Sequence, residues 1–234
     1  MSANSSRETV LKRIAAARRV GQSSATTAEE ARHAYNELSR DYVLRGDMTG
    51  RACQERFIER LREYDAEVVE CGPEELAETI RKQLAASGRR RFVAPAGLPK
   101  EWLAEGFEWT IDHDLPASEV EKTEGVVTAC FCGVAESGTI VLHHSAAEGR
   151  RVITLLPDWH LIVVQASQVV ETLPEYFRRC EKPPRLATWV SGPSATADIE
   201  MTRIKGVHGP RFLNVILVGD QGLRTRDDGL RTRD

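Results

Sequence analysis

The hydrophobic pattern at the start of the chain is helical. Residues 6–19 repeat apolar side chains at helical spacing, and Ser5 with Glu8 forms a capping-box pattern at their start. A second helical pattern with a weaker apolar face covers residues 28–44. These features predict a helical arm over residues 1–50. Its apolar stripe suits packing on its own domain or docking on a partner.

From about residue 51, helical and strand-like patterns follow one another, which is typical of an α/β sheet with crossover helices. After residue 120, β-branched segments with short connections dominate, and their close spacing favours antiparallel pairing. We predict an α/β fold, an open mixed sheet flanked by helices. The predicted helices are 51–64, 73–88 and 167–179, and the predicted strands are 66–71, 92–93, 126–132, 139–143, 152–156, 160–164, 186–190 and 212–218.

The predicted α/β domain covers residues 51–219. Residues 220–234 contain a polar repeat, Gly-Leu-Arg-Thr-Arg-Asp, which is typical of a disordered tail.

Composition narrows the class of protein. The 234 residues are 41% hydrophobic and 29% charged, as in soluble globular proteins. The net charge of −3 gives no reason to expect nucleic acid, and the arginine clusters at 89–91, 150–151 and 178–179 are interpreted as solvated surface. No apolar run approaches the roughly 20 residues of a membrane span, and no secretory signal is present. We expect a cytoplasmic protein.

The sequence lacks the motifs of common cofactor sites. There is no Cys-x-x-Cys, G-x-G-x-x-G, P-loop or nucleophile elbow. We therefore expect no metal site and no intrinsic cofactor. The cysteines are interpreted as free thiols: Cys53, Cys71, Cys130, Cys132 and Cys180.

The strongest candidate site is residues 191–200, where three hydroxyls and two carboxylates surround a Gly-Pro break. This composition predicts a loop that leads into a helix beginning near Ala197, with Ser194 or Thr196 as its cap. The free backbone N–H groups at the start of that helix would surround a small anion. A capped helix without a ligand is the alternative. The predicted ligand-binding residues are Gly138, Thr139, Ser191, Gly192, Ser194, Thr196, Asp198, Glu200, Lys205 and His208.

A second candidate is Glu136, which lies in a small-residue turn between two predicted strands. A carboxylate there could act as nucleophile, base or hydrogen-bond acceptor, or simply be solvated. Glu136 and His208 are the catalytic candidates. His143 and His144 should face opposite sides of a strand, and His160 either shares the cleft of Glu136 or is structural.

Four segments, in this order, resemble lactate utilization (LUD) domain proteins, and most closely the lactate utilization protein C family. They are residues 135–139, 155–164, 191–200 and 206–210. The resemblance covers roughly residues 51–219, and the N-terminal helix also fits this family. Cys130 and Cys132 occupy positions at which this family more often has small apolar residues.

The resemblance implies a fold similar to the NagB/RpiA/CoA-transferase group and a role in oxidising L-lactate to pyruvate. It implies partner proteins with iron–sulfur or cysteine-rich domains, and it carries over no catalytic residue. We expect a non-redox subunit that binds a small carboxylate or phosphorylated ligand. One alternative is a CoA-transferase-like enzyme using Glu136 in a Glu-x-Gly turn, although no Gly-x-Gly accompanies it. Another is a scaffold for iron–sulfur partners.

Overall fold

The chain divides into two units, Met1–Tyr42 and Val43–Asp234. The predicted tail at 220–234 lies outside the described residues. The computed structural model describes residues 3–19, 27–39, 44–48, 50–182, 184–196, 204–206 and 208–219, with backbone only at 3–6, 18–19, 196 and 204–205.

The first unit contains two helices, α1 (Ala3–Arg19) and α2 (Ala28–Glu37), and the second ends earlier than the predicted 28–44, since residues 38, 39 and 44 are not helical. Thr27 caps α2 because its hydroxyl accepts a hydrogen bond from the Glu30 N–H at 3.1 Å. The Glu30 carboxylate accepts the Thr27 N–H in return, so two otherwise unpaired donors are satisfied and the start of the helix is fixed.

The larger unit alternates helices and strands. Its α-helices are α3 (Gly50–Glu63), α4 (Leu76–Ala86), α5 (Ala117–Val120) and α6 (Leu173–Arg179). Its strands are β1 (Glu67–Cys71), β2 (Arg91–Pro95), β3 (Glu108–Asp112), β4 (Gly125–Thr128), β5 (Cys132–Val134), β6 (Thr139–Leu142), β7 (Trp159–Gln165), β8 (Val169–Val170), β9 (Thr188–Val190), β10 (Ala195–Thr196), β11 (Ile204–Lys205) and β12 (Phe212–Val218).

The main sheet has the strand order β1-β12-β7-β4-β2-β3, and each neighbouring pair is parallel. Helices cover both faces, because α3 packs in one apolar cluster and α4 in the other. Successive residues of β7 alternate between these clusters, as strand geometry requires. Burial of each such Leu, Ile or Val contributes about 1.5–3 kcal/mol. The predicted α/β class with a helix-flanked sheet is confirmed.

A smaller sheet of order β8-β5-β6-β9 packs beside the main one within the described residues. The predicted antiparallel pairing is confirmed for β5 with β6, and β6 is also antiparallel to β9. It is wrong for β4 and β7, which are parallel, with Val126 opposite His160. The small-sheet strands β5 and β6 lie in the connection between them, and a crossover of that length permits parallel pairing.

The strand predicted at 152–156 is also wrong, since Arg151–Thr154 forms a 3-10 helix. Ile153 is buried there in a cluster with Val93, Val120 and Val126. The β-branched residues of this segment therefore belong to a 3-10 turn that packs on the core, and they do not pair as a strand. No helix within the described residues is long and apolar enough to cross a membrane.

Candidate functional site

The segment after β9 folds as a short hairpin. β10 and β11 pair in antiparallel fashion, with Ala195 opposite Lys205. The Ser194 hydroxyl accepts a hydrogen bond from the His208 N–H at 3.1 Å, and the Ser194 carbonyl accepts one from the Gly206 N–H at 2.8 Å. The Ser194 hydroxyl therefore closes the base of this hairpin, and the helix near Ala197 that it is predicted to cap lies outside the described residues.

The other candidates of this loop are described in part or not at all. Asp198, Glu200 and the helix predicted to begin near Ala197 fall outside the described residues. Thr196 and Lys205 are described through their backbone, as strand residues of the hairpin. The anion-binding role of these four side chains stays a prediction.

Hydroxyl groups connect the turn between β5 and β6 to the start of the 191–208 segment. Ser137 Oγ lies 2.8 Å from Thr139 Oγ1, which in turn lies 2.7 Å from Ser191 Oγ. This follows from the register of β6 and β9, where Ile140 is opposite Val190. The two regions that the sequence indicated are neighbours, and their hydroxyls bond to one another.

Glu136 lies exposed on the same turn, and its backbone N–H donates to the Glu171 carbonyl at 3.0 Å. Its carboxylate lines neither of the two clefts described below, whereas His208 lines the first. The structure therefore does not bring the two catalytic candidates into one of these clefts.

Gly138 and Gly192 have a structural reason to be glycine. Their φ angles are +60° and +85°, in the left-handed region that favours glycine. A Cβ on Gly138 would lie 2.8 Å from the Cβ of Arg60, and one on Gly192 would lie 2.7 Å from the carbonyl oxygen of Tyr64. Both glycines are pressed against the carboxyl-terminal end of α3 or the residue just beyond it, and their predicted contact with a ligand stays a prediction.

A groove of about 570 Å³, which we call the basic groove, lies beside the amino ends of β7 and β12. The 3-10 helix before β7 and the connection from β11 to β12 contribute its walls. Its lining residues are Arg151, Leu155, Leu156, Asp158, Gly206, His208, Gly209 and Arg211.

Guanidinium groups dominate the charge of the basic groove. Asp158 accepts hydrogen bonds from Arg211 Nε at 2.5 Å and from Arg89 Nη2 at 3.1 Å. Partial burial raises the pKa of Asp158, but these bonds outweigh it and leave the pKa below its ordinary value. Arg151 Nη1 donates to Thr188 Oγ1 at 2.6 Å. The lining Arg151 and Arg211 against the lining Asp158 leave a net charge of +1, and Arg89 adds a further positive charge beside Asp158, which favours an anionic ligand.

A second cleft of about 330 Å³, which we call the acidic cleft, lies at the carboxyl ends of β2 and β3, the edge at which open α/β sheets bind ligands. The sequence analysis missed it, although two aspartates flanking a histidine gave a signal. Its lining residues are Pro95, Ala96, Asp112, His113, Asp114, His144, Ser145, Ala146, Gly149 and Arg150.

An ion pair forms the base of the acidic cleft. The Asp112 carboxylate, whose side chain is 3% exposed, accepts bonds from Arg150 Nε at 2.9 Å and Nη2 at 2.6 Å. These bonds, helped by the Leu115 N–H, lower the pKa of Asp112 in spite of its burial. Asp114 lies 3.5 Å from the same guanidinium. Two carboxylates and one guanidinium leave a net charge of −1, so this cleft is less suited to an anion than the basic groove.

The histidines of the strand region fall into different environments. His160 Nε2 lies 2.8 Å from Thr128 Oγ1 inside the core, and burial lowers the pKa of His160 to about 3. The expectation that it faces a cleft with Glu136 is wrong, and the structural alternative is confirmed. His143 stacks on Phe131 with ring centroids 3.7 Å apart.

His144 connects the two clefts through one hydroxyl. Its Nδ1 lies 2.8 Å from the Gly149 carbonyl oxygen, and its Nε2 lies 2.8 Å from Thr188 Oγ1. Since a carbonyl can only accept, Nδ1 donates to Gly149, and in the neutral ring Nε2 accepts from the Thr188 hydroxyl. The same hydroxyl accepts the bond from Arg151, so Thr188 joins the basic groove to the acidic cleft.

The five cysteines are free thiols, as predicted. Cys130 and Cys132 are buried beside β6, and burial raises the pKa of the Cys132 thiol to about 11. Across the described part of the chain, no group of three or more His, Cys, Asp or Glu side chains is placed to hold a metal ion.

In sequence, the chain is similar to proteins whose names refer to lactate utilization. The family model described as LUD domain matches residues 11–218. Lactate utilization protein C of Deinococcus radiodurans is 40% identical over 168 residues, which cover 70% of this chain and 78% of that protein. Lactate utilization protein C of an Exiguobacterium species is 31% identical over 207 residues, which cover 80% of this chain and 86% of that protein.

A solved structure is similar in fold. The crystal structure of a DUF162 family protein from Deinococcus radiodurans superposes with a TM-score of 0.65 at 34% sequence identity. The similarity covers 74% of this chain and 100% of that one, so it extends over the whole of the smaller molecule.

Proposed function

Because the chain belongs to the LUD-domain family, we propose that it serves lactate utilization as a subunit that binds a small carboxylate or phosphorylated anion. Oxidation of L-lactate to pyruvate releases two electrons and two protons. The sequence has neither the cysteine spacing of an iron–sulfur protein nor a dinucleotide fingerprint. In this proposal the electrons pass to iron–sulfur clusters on partner proteins.

The observation that carries the proposal is the excess of guanidinium groups at the basic groove. Arg151 and Arg211 line it from two sides, and Asp158 neutralises one of the nearby positive charges. Each charge-assisted hydrogen bond to a small anion contributes about 1.5–3 kcal/mol. Arginine presents five N–H donors, so Arg151 can keep its bond to Thr188 and still bind a carboxylate.

The other lining residues fit the rest of a small organic acid. Leu155 and Leu156 offer an apolar wall for its carbon atoms, and His208 offers an imidazole for a hydroxyl or keto oxygen. Ser194 acts on this site indirectly, because its hydroxyl holds the backbone of His208 at 3.1 Å. His208 is thus the binding candidate, and Ser194 is a positioning residue.

Substitution of Arg151 by alanine is expected to weaken anion binding about tenfold or more, which corresponds to about 1.4 kcal/mol. The measurement is calorimetric titration with L-lactate, pyruvate and 3-phosphoglycerate as probes. Ser194→Ala should weaken the same binding to a smaller extent, since it removes a hydrogen bond that orients His208. Absence of binding by all three probes to the unmodified protein would overturn the site.

The matched control is Arg81→Gln. Arg81 is a half-exposed arginine on α4 that pairs with Glu78, so its loss changes the net charge equally without touching the groove. Exposed pairs of this kind contribute little to stability. Equal weakening in both variants would show that the probes respond to overall charge and not to the groove.

Acyl transfer through Glu136 is the second candidate function, favoured by the exposure of Glu136 on its turn. The carboxylate would attack the acyl-CoA and expel the CoA thiolate, which gives a mixed anhydride of Glu136. The thiolate would then attack the glutamyl carbonyl of this anhydride, which leaves a glutamyl-CoA thioester and the free acid. This candidate predicts that borohydride, in the presence of acetyl-CoA, reduces the glutamyl thioester and so modifies the native protein but not Glu136→Gln. Acetyl-CoA that stays intact with the native protein would rule out acyl transfer through Glu136.

A further inference from the structure

Four large apolar side chains are exposed on the segment that runs from α6 to β9. Phe177 is 56% exposed, Trp189 42%, Leu186 48% and Leu173 39%. We call these four side chains the aromatic ridge. The Phe177 and Trp189 rings lie 6.2 Å apart, so the two aromatics form one surface and are not isolated. Exposed apolar side chains that adjoin one another, as these two aromatics do, mark interaction sites.

A buried aromatic ring supports the two aromatic side chains of the ridge. The ring of the buried Tyr176 lies 5.0 Å from both Phe177 and Trp189, edge-on to each. The Tyr176 hydroxyl lies 3.0 Å from His143 Nε2, and the His143 ring is stacked on Phe131. Because the supporting rings are fixed by packing and hydrogen bonding, Phe177 and Trp189 lose little conformational freedom when a partner covers them.

The strand beside the ridge ends the small sheet. Within the described residues β9 pairs on one side only, with β6. Its other edge can accept an extended chain through backbone hydrogen bonds, while side chains of the added chain meet the ridge. Trp189 is the central residue of β9, so the apolar surface and the free edge coincide.

The segment 173–190 is positively charged, in contrast to the chain as a whole. It contains Arg178, Arg179, Lys182 and Arg185 against Glu175 and Glu181, which leaves +2 where the chain carries −3. The Glu175 carboxylate is also occupied, since it accepts the Glu171 and Thr172 backbone N–H groups at 2.8 and 3.0 Å. This charge complements an acidic partner.

We propose that the aromatic ridge and the free edge of β9 dock an acidic, extended segment of a different protein. A second copy fits less well, because a two-fold interface would place +2 against +2. Nucleic acid or an anionic membrane would use the cations but not the backbone edge of β9. The proposal is independent of the anion bound in the basic groove.

Site-specific photo-crosslinking tests the proposal on the full chain. A benzophenone amino acid replaces Trp189, the protein is produced in its host growing on L-lactate, and crosslinked peptides are identified by mass spectrometry. The expected product joins Trp189 to a segment of another protein with net negative charge. Crosslinks to this chain itself, to lipid or nucleic acid, or to neutral or basic segments would overturn the proposal.

A matched control position is Phe212, which is 48% exposed and has the Arg211 and Arg89 guanidiniums 5.9 and 4.9 Å from its ring centre. Like Trp189 it is an exposed aromatic with cationic residues nearby in the sequence, but it lies on a central strand. Crosslinking at Trp189 no greater than at Phe212 counts against the proposal.

A synthetic peptide of the crosslinked segment should bind the native protein, and Phe177→Ala should weaken that binding at least tenfold. The same variant should leave anion titration unchanged. Arg211→Ala, which removes a guanidinium of the basic groove that bonds to Asp158, should leave peptide binding unchanged. Failure of one proposal is therefore distinguishable from failure of the other. Unchanged peptide affinity in Phe177→Ala would contradict a role for the ridge.

Discussion

Replacing Gly138 by alanine is expected to lower the free energy of unfolding by about 2–5 kcal/mol, the sum of left-handed strain and overpacking. The φ angle of Gly138 is +60°, and a Cβ would lie 2.8 Å from the Arg60 Cβ and 3.0 Å from the Leu61 backbone nitrogen. These atoms belong to α3, which is anchored by the fully buried Leu61 and cannot yield easily. Urea unfolding at neutral pH measures the effect.

Gly88→Ala separates the two causes. Gly88 has a similar φ angle of +70°, but no atom lies within 4 Å of the position that its Cβ would take. This variant should therefore lose only the conformational part, about 1–2 kcal/mol. Equal losses in the two variants would contradict the close approach of Gly138 to α3.

Buried strands of the main sheet were the most predictable part of the fold. β12 was predicted with its observed bounds, because six of its seven residues are buried and a strand covered on both faces has a nearly continuous apolar sequence, interrupted here by Asn214. The edge strand β3 was missed, since it is only half-buried and two of its five residues are acidic. Its polar composition resembles that of a loop.

Strand direction was harder to predict than strand position. Local spacing suggested that β4 and β7 are antiparallel, but this pairing depends on the residues between them. Those residues form β5 and β6 of a second sheet, so the chain returns to the main sheet in the original direction. Nothing in the sequence of β4 or β7 alone contains this information.

The candidate site was predictable only in part, because its charges come from distant positions. The sequence drew attention to His208 and to Ser191 beside the Glu136 turn, and the structure places Ser191 against Thr139. The sequence pattern of the arginines at 89–91 and 150–151, in contrast, indicated solvated surface. Arg89 instead pairs with Asp158, and Arg151 lines the basic groove. Ion pairs between residues more than 60 positions apart leave no local pattern.

Replacing Arg150 by methionine is expected to lower the free energy of unfolding by about 3 kcal/mol at pH 7. The nearly buried Asp112 carboxylate would lose bonds of 2.6 and 2.9 Å and keep the Leu115 N–H at 3.1 Å. Urea unfolding measures the loss. Arg151→Met is the control from the adjacent position: its single bond to Thr188 lies at the surface, so its removal should change stability by less than about 1 kcal/mol.

The pH dependence of this loss identifies its cause. Arg150 lowers the pKa of Asp112, so the pair stabilises the folded protein fully above the carboxyl's unfolded pKa of about 3.9, and this stabilisation disappears as the pH falls through the lower folded value. In Arg150→Met, burial without the guanidinium raises the pKa of Asp112, so protonation relieves the buried charge. The stability difference between native protein and variant should therefore be largest above about pH 5 and narrow steadily toward pH 3. A difference that stays constant over this range would show that Arg150 stabilises the fold through packing of its side chain and not through Asp112.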